Sequence, residues 1–283
     1  MIESTENWSL VIKPKTKWYQ LDLAAIWKYR DLLMLFVRRD FVAVYKQTVL
    51  GPLWFFIQPI LTTLSFTFIF GNFAKISTDG IPPVIFYLSG ITFWNYFASC
   101  LTATSNTFVS NAGMFGKVYF PRLITPLSVV ISNLIKFGIQ FALFLSVFLY
   151  YFISRQIHPN WTIIFLPIYI IMMAGLGLGF GILISSLTTK YRDFTFLVGF
   201  GVQLLMYASP IIYPFSILDE KLRFILNIIN PMSSIIEAIK YGFLGEGIFS
   251  ISNLAVSFIY MFLLLFIGIV LFHKVEKSFM DTV

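Results

Sequence analysis

Charged side chains are scarce along this chain, and their scarcity indicates the solvent in which it folds. Only 12% of the 283 residues are Asp, Glu, Lys or Arg, whereas 58% are hydrophobic and the mean hydropathy is +0.83. A water-soluble domain of this length needs a far more polar surface. Apolar runs recur from end to end, so the sequence predicts a protein that folds in lipid.

Cysteines and catalytic motifs are also missing from the sequence. A lone Cys100 excludes a disulfide framework. The chain has no G-x-x-x-x-G-K-[ST] phosphate loop, no H-E-x-x-H and no G-x-S-x-G, and the predicted spans contain no carboxylates that would form a proton relay. We therefore expect no catalytic residue, no metal and no cofactor on this chain.

Apolar segments of membrane-spanning length are what the sequence has in abundance. A bilayer core about 30 Å thick requires about 20 apolar residues in a helix. Six segments reach or approach this length: residues 51–70, 85–109, 124–152, 163–187, 194–212 and 254–272. The predicted fold is all-α, with residues 1–283 forming a single polytopic transmembrane domain of six helices.

Two further regions do not read as simple spans. Residues 22–44 place apolar and charged side chains on different helix faces, which predicts an amphipathic interface helix, either an anchor or a docking platform. Residues 214–250 contain short apolar runs interrupted by Pro and Gly. This pattern predicts two short re-entrant gate helices at the outer side of a pore, with a plain surface loop as the alternative.

The spacing of the glycines in one predicted span indicates how closely its helix packs. Four alternating glycines in the fourth span form small-xxx-small pairs, which predict close helix packing; they are Gly175, Gly177, Gly179 and Gly181.

Fourteen of the 20 Lys and Arg residues fall on one side of the predicted spans and five on the other. The positive-inside rule places both termini, with the richer side, in the cytoplasm.

Lys136 is the one charge within a predicted span. An intramembrane lysine is a candidate functional group. The alternative is a boundary lysine that reaches the interface, if residues 121–132 form a separate element before the true span.

A series of short motifs resembles a known family. In order they are Trp27–Leu32, Arg39-Asp40, Tyr45–Trp54, Lys117–Arg122, Tyr191–Asp193, Ser209–Pro214, Asn230–Met232 and a tail with Glu276, Phe279 and Asp281. Their order and spacing resemble the permease subunit of type-2 ABC transporters that export polysaccharides, the O-antigen (Wzm), capsule and teichoic-acid exporters. The resemblance runs nearly from end to end.

The resemblance implies a homodimeric pore in the bacterial inner membrane, surrounded by lipid and coupled to two copies of a separate ATPase subunit. ATP and Mg²⁺ would bind that partner and not this chain. The implied cargo is a glycan on polyprenyl pyrophosphate, and no nucleic acid is involved. The alternatives are an ABC permease for a small lipophilic drug or lipid, and a polyprenyl-linked membrane glycosyltransferase.

Roles for individual residues follow from the resemblance together with side-chain chemistry. Aromatic and charged residues of inside loops would contact the ATPase: Tyr119, Phe120, Arg122, Tyr191, Arg192 and Asp193. Basic residues would receive the anionic head group, or serve orientation alone: Arg38, Arg39, Lys46 and Lys117. Aromatic residues would line a glycan pore, or simply pack: Phe66, Phe70, Trp94 and Tyr96. The outer gate would include Pro214, Asn230 and Pro231.

Overall fold

A computed structural model describes residues 23–46, 48–188 and 193–279, and these ranges contain helices and no strand. The α-helices in them are α1 (Leu23–Lys28), α2 (Arg30–Tyr45), α3 (Trp54–Phe66), α4 (Pro83–Ser105), α5 (Thr107–Phe115), α6 (Ile124–Ile153), α7 (Leu166–Thr188), α8 (Phe194–Tyr207), α9 (Glu220–Ile229), α10 (Met232–Leu244) and α11 (Ile251–Phe279). Short 3₁₀ turns occur at Gly51–Leu53, Trp161–Phe165 and Phe215–Ile217, and Thr67–Phe73 continues α3 as a π-helix.

Five helical segments of the described chain are long and apolar enough to cross a bilayer. They are Gly51–Phe73, Pro83–Ser105, Ile124–Ile153, Trp161–Thr188 and Ile251–Val275. The all-α, polytopic membrane fold that the sequence predicts is thereby confirmed. The chain is a multi-pass membrane protein.

The predicted span at residues 194–212 is shorter than expected. Its helix, α8, has 14 residues and ends at Tyr207. At a rise of 1.5 Å per residue it is about 21 Å long, which is less than the thickness of a bilayer core. Pro210 follows closely, and proline lacks the N–H that would continue the helix.

Two other predicted segments are divided in the structure. The segment 85–109 breaks at Asn106, whose side-chain amide donates a hydrogen bond to the Thr102 carbonyl at 3.1 Å. Residues beyond it form α5, a separate helix. The predicted interface helix at 22–44 breaks at Tyr29 into α1 and α2.

Hydrogen bonds between helix ends and between loops show which helix ends share a side of the bundle. Thr188 Oγ1 donates to the Ser105 carbonyl at 2.9 Å, which joins the ends of α7 and α4. At the opposite end, Ser216 Oγ donates to the Asp79 carboxylate at 2.7 Å. Helix α2 packs against α6, and Ser128 Oγ near the beginning of α6 donates to Asp40 Oδ2 at 3.4 Å, so α2 lies with the first group. We call that side the α2 side and the opposite one the far side.

The two short helices on the far side form a bent pair. The axes of α9 and α10 differ by 115°. At the elbow between them, Asn230 Nδ2 donates to the Leu205 carbonyl at 3.0 Å and to Ser209 Oγ at 2.7 Å, while Ser257 Oγ donates to the Pro231 carbonyl at 2.7 Å. The elbow is thus held between the end of α8 and α11, an arrangement consistent with re-entrant helices in region 214–250.

Alternating glycines place α7 in close contact with two neighbours. A Cβ added at Gly181 would lie 2.5 Å from Thr104 Cβ in α4, and Gly177 faces the same helix. A Cβ added at Gly179 would lie 3.0 Å from the backbone nitrogen of Leu265 in α11. The small residues therefore let α7 approach α4 on one face and α11 on the other, as the small-xxx-small pattern predicts.

The substitution Gly179→Ala is expected to lower the free energy of unfolding by about 1–3 kcal/mol, because the new methyl group meets backbone that cannot rotate away. Thermal unfolding of the purified protein in detergent measures the effect. Gly138→Ala in α6 is the matched control, since nothing lies within 4 Å of its added Cβ and Ala favours helix. Equal melting temperatures for the two variants would contradict the close approach of α7 and α11.

Candidate functional site

A cavity of about 820 Å³ opens on the α2 side and extends into the bundle. Its walls come from α2, α3, α4, α5 and α6, and most lining side chains carry an amide or a hydroxyl group. Prominent among them are Gln58, Asn95, Ser99, Thr102, Asn106, Ser132, Asn133 and Gln140. Polar groups at membrane depth line water or a ligand and not lipid. We call this space the α2-side cavity.

Polar stripes on two helices create the α2-side cavity. In α4 and its C-cap residue the stripe recurs at steps of three or four residues, which places its members on one helix face: Asn95, Ser99, Thr102 and the C-cap Asn106. From first to last it extends about 16 Å, roughly half of a bilayer core. In α6 the corresponding stripe comprises Asn133, Lys136 and Gln140.

Three charged side chains line the α2-side cavity. Arg39 and Asp40 form an ion pair, with 2.8 Å between Nη2 and Oδ1. Lys136 donates a hydrogen bond to Asn133 Oδ1 at 3.0 Å, and within the described ranges no carboxylate lies at ion-pair distance from its Nζ. The hydrogen-bond partner of Lys136 is therefore neutral, and the two cations Arg39 and Lys136 outnumber the one carboxylate of the described lining, so the cavity is suited to an anion.

Lys136 is not a boundary lysine, which was one of the two interpretations that the sequence allowed. Helix α6 runs unbroken from Ile124 to Ile153, so residues 121–132 do not form a separate element before the span. Lys136 lies about 18 Å along this helix and faces the α2-side cavity. This position favours the functional interpretation of the charge.

One of the four basic residues predicted to receive an anionic head group lines the α2-side cavity. That residue is Arg39. Arg38, Lys46 and Lys117 are exposed on the surface and do not line the cavity. The structure instead adds Lys136, from a different helix, to the set of basic groups that share one space with Arg39.

The aromatic residues predicted to line a pore lie elsewhere. Trp94 and Tyr96 are buried in the main hydrophobic core, and Phe66 and Phe70 pack against it, with their ring centroids 5.2 Å apart. Within a single chain these four side chains are packing residues, and the open cavity is lined by amides and hydroxyls. An aromatic lining formed between two copies stays a prediction.

The two aromatic residues predicted to contact an ATPase are neighbours in the loop between α5 and α6, but their side chains differ in exposure. Tyr119 is 74% exposed, whereas Phe120 is 5% exposed. The Phe120 ring packs against Phe36 of α2 and Phe115 of α5, with centroids 5.6 and 5.9 Å apart. Phe120 therefore supports the loop from inside, and Tyr119 is the member of the pair that presents its ring to a partner.

The other predicted contact residues are placed as follows. The Arg122 guanidinium lies over the Phe115 ring at 5.4 Å, and Asp193 is exposed immediately before α8. Tyr191 and Arg192 lie outside the described residues. Of the predicted gate residues, Pro214 is buried beside the 3₁₀ turn, and Asn230 and Pro231 form the hydrogen-bonded elbow.

The polar face of α4 is detectable in the sequence, although the mean hydropathy of the segment does not show it. An average over 18 or more residues is dominated by the aromatic and aliphatic side chains on the other faces of the helix. The periodic recurrence of Asn, Ser and Thr within an apolar segment is the signal that would have revealed it. Which other helix supplies the opposite wall cannot be read from that periodicity.

A profile of the family described as ABC-2 type transporter matches residues 31–244. This chain belongs to the ABC-2 type transporter family. The matched region runs from α2 to the end of α10, so it contains every helix that lines the α2-side cavity. Membership in the ABC-2 family confirms the resemblance to type-2 ABC permeases and identifies the chain as a membrane transport subunit.

Curated relatives of this ABC-2 protein match along most of their length. Two proteins of Klebsiella pneumoniae, both named O-antigen export system permease protein RfbA, are 27% and 26% identical over 252 residues, which is 89% of this chain and 94% of each relative. A protein of the same name from Myxococcus xanthus is 27% identical over 211 residues, or 74% of this chain and 79% of that relative.

The substitution Ser99→Cys tests whether the α2-side cavity is open to water. Ser99 is exposed within it, so the new thiol should react with a charged, membrane-impermeant maleimide applied to the purified protein. The native Cys100 is fully buried, and the wild-type protein is therefore an internal control that should stay unlabelled. Mass spectrometry counts the labels. An unreactive Ser99→Cys variant would show that the cavity is closed.

Proposed function

We propose that this chain is the pore-forming permease of an ATP-driven exporter that moves a lipid-linked, O-antigen-like polysaccharide across the bacterial inner membrane. The observation that carries the proposal is the α2-side cavity, a polar space reaching about halfway into the bundle of an ABC-2 membrane subunit. The names of the similar relatives support the polysaccharide as cargo.

The lining of the α2-side cavity favours this cargo over a drug. Amide and hydroxyl groups donate and accept the hydrogen bonds that sugar hydroxyls require. A small lipophilic compound would instead need a mostly apolar pocket with few polar groups. A glycosyltransferase would need clustered carboxylates, whereas Asp40 is the one carboxylate among the described lining residues and is already paired with Arg39.

The charges of the α2-side cavity suit the lipid carrier. A polyprenyl pyrophosphate presents its anionic head group at the membrane surface, where Arg39 lies at the mouth of the cavity. Lys136 lies deeper and has a neutral partner only among the described residues. The head group would therefore pass from the surface to Lys136 while its sugars contact the amides of α4 and α6.

The proposed assembly contains two copies of this chain and two ATPase subunits that bind ATP and Mg²⁺. The α2 side then faces the cytoplasm, together with both termini. The exposed Tyr119 and the adjacent surface of α2 provide the contact with the ATPase, and α2 serves as a docking platform. Hydrolysis on the partner would act here by changing which pore state is favoured.

The substitution Lys136→Gln is expected to lower polysaccharide export by about tenfold or more, because a neutral amide cannot make a charge-assisted hydrogen bond to the anionic head group. Export is measured as surface polysaccharide in a strain that lacks its own copy of the gene. Lys136→Arg should retain part of the activity, and Lys221→Gln, on the far side, should export normally. Normal export by Lys136→Gln would remove this lysine from the transport path.

The substitutions Tyr119→Ala and Phe120→Ala are expected to act in different ways. Tyr119→Ala should uncouple ATP hydrolysis from export with an unchanged melting temperature, because its ring is exposed. Phe120→Ala should lower the free energy of unfolding by about 3–5 kcal/mol, because it empties a buried aromatic cluster. ATPase assays on the purified complex and thermal unfolding separate the two. Full coupling in Tyr119→Ala would contradict the assigned contact.

A further inference from the structure

A second cavity, of about 220 Å³, lies on the far side between α9, α10 and the beginning of α11. We call it the far-side cavity. Its polar lining includes Arg223, Asn227, Ser234, Glu237 and Asn253, and the rings of Phe215 and Phe224 complete it. It shares no lining residue with the α2-side cavity, so it is a separate space at the other end of the bundle.

Glu237 is the deepest charged group of the far-side cavity and is 3% exposed. Its Oε1 accepts a hydrogen bond from the Ile248 backbone N–H at 3.0 Å. Its Oε2 is buried and has no hydrogen-bond partner among the described residues. Because a buried carboxylate oxygen without a donor is costly, this atom points to a donor supplied by a ligand.

The loop after α10 is built around this carboxylate. Gly247 adopts a φ of +125°, and a Cβ at this position would lie 3.0 Å from Glu237 Oε1. Only glycine therefore allows the chain to pass so close to the carboxylate and present the Ile248 N–H. The backbone thus holds Oε1, while Oε2 has no donor among the described residues.

The neighbouring lysine does not occupy the far-side cavity. Lys240 is on the same helix as Glu237, but its Nζ donates to the Pro210 carbonyl at 2.6 Å and lies 3.3 Å from the centroid of the Phe86 ring. Lys240 is absent from the described lining. Its charge therefore balances Glu237 from behind while its hydrogen bonds are made elsewhere.

The charges of the far-side cavity favour a neutral ligand. Arg223 at the wall disfavours a cation, and Glu237 with Glu220 at the rim disfavours an anion. Asn227 Oδ1 already accepts a hydrogen bond from Ser234 Oγ at 3.0 Å, which leaves the amide N–H groups of Asn227 to donate. A carboxylate acceptor, amide donors and an aromatic ring together match a compound with several hydroxyl groups.

We propose that the far-side cavity is a subsite for one neutral sugar residue, and this proposal rests on the polysaccharide export proposed above. The Glu237 carboxylate, which lines the cavity, accepts hydrogen bonds from sugar hydroxyls, the side chains of Asn227 and Asn253 hydrogen-bond to others, and Phe224, which is 65% exposed, covers a C–H face of the ring. The volume is below the range of about 300–1,000 Å³ typical of drug-sized ligands, so it suits a single sugar unit. The subsite would hold the glycan where it emerges on the far side.

The test uses the full-length protein in lipid nanodiscs, without ATPase or ATP. Saturation-transfer difference NMR measures binding of a panel of free monosaccharides: glucose, galactose, mannose and N-acetylglucosamine. At least one should bind the wild-type protein, and Glu237→Gln should bind it about tenfold more weakly or worse, as expected for the loss of a charge-assisted hydrogen bond. Glu246→Gln is the matched control, because Glu246 is exposed in the same loop and should bind as the wild type does.

Each outcome of this experiment decides the proposal. If Glu237→Gln does not fold by thermal unfolding, Asn253→Leu replaces it and should show the same loss. A panel without any binder, or equal binding by the wild type and the folded variant, would overturn the subsite. Calcium binding that depends on Glu237 would also overturn it. Because the assay requires no transport, it distinguishes failure of the subsite from failure of the proposed export.

Discussion

The close approach of α7 to α4 and α11 is the contact on which the rest of the structure depends. In lipid no hydrophobic force drives helices together, so tight packing of their surfaces must hold the bundle. Glycines on two faces of α7 make this possible, since Thr104 of α4 and Leu265 of α11 lie where side chains would otherwise stand. With one face of α4 held against α7, its polar stripe is turned toward α2 and α6, and the α2-side cavity results.

The two cavities give the bundle a different chemistry at each end. The α2-side cavity is large and contains a lysine without a carboxylate partner among the described residues, which suits an anionic group with sugars attached. The far-side cavity is small and contains a carboxylate oxygen without a donor, which suits hydroxyl groups. The elbow at Asn230 and Pro231 is hydrogen-bonded to α8 and α11 and so connects the far-side cavity to α8, a helix that does not line it. The proposed head-group site and the proposed sugar subsite thus lie at opposite ends of the bundle.

Local sequence patterns accounted for elements whose cause is local. The apolar segments, the short helices of region 214–250 and the glycine faces of α7 follow from composition and from periodicity within one helix. The break at Asn106 and the end of α8 at Tyr207 were missed, because hydropathy extends through polar caps and through residues before a proline. Phe120 was expected at a contact surface, but a lone aromatic residue in a loop does not reveal whether another helix covers it, as Phe36 does here.

The sequence by itself determined that the chain lies in a membrane, that it is helical, and which helix faces are small enough to pack closely. These properties depend on the free energy of transferring side chains into lipid and on spacing along one helix. Only the tertiary structure decided that Lys136 shares a cavity with Arg39 and that the Ile248 N–H meets Glu237. Such contacts join segments far apart in the chain, and the packing distance and register of whole helices bring them together.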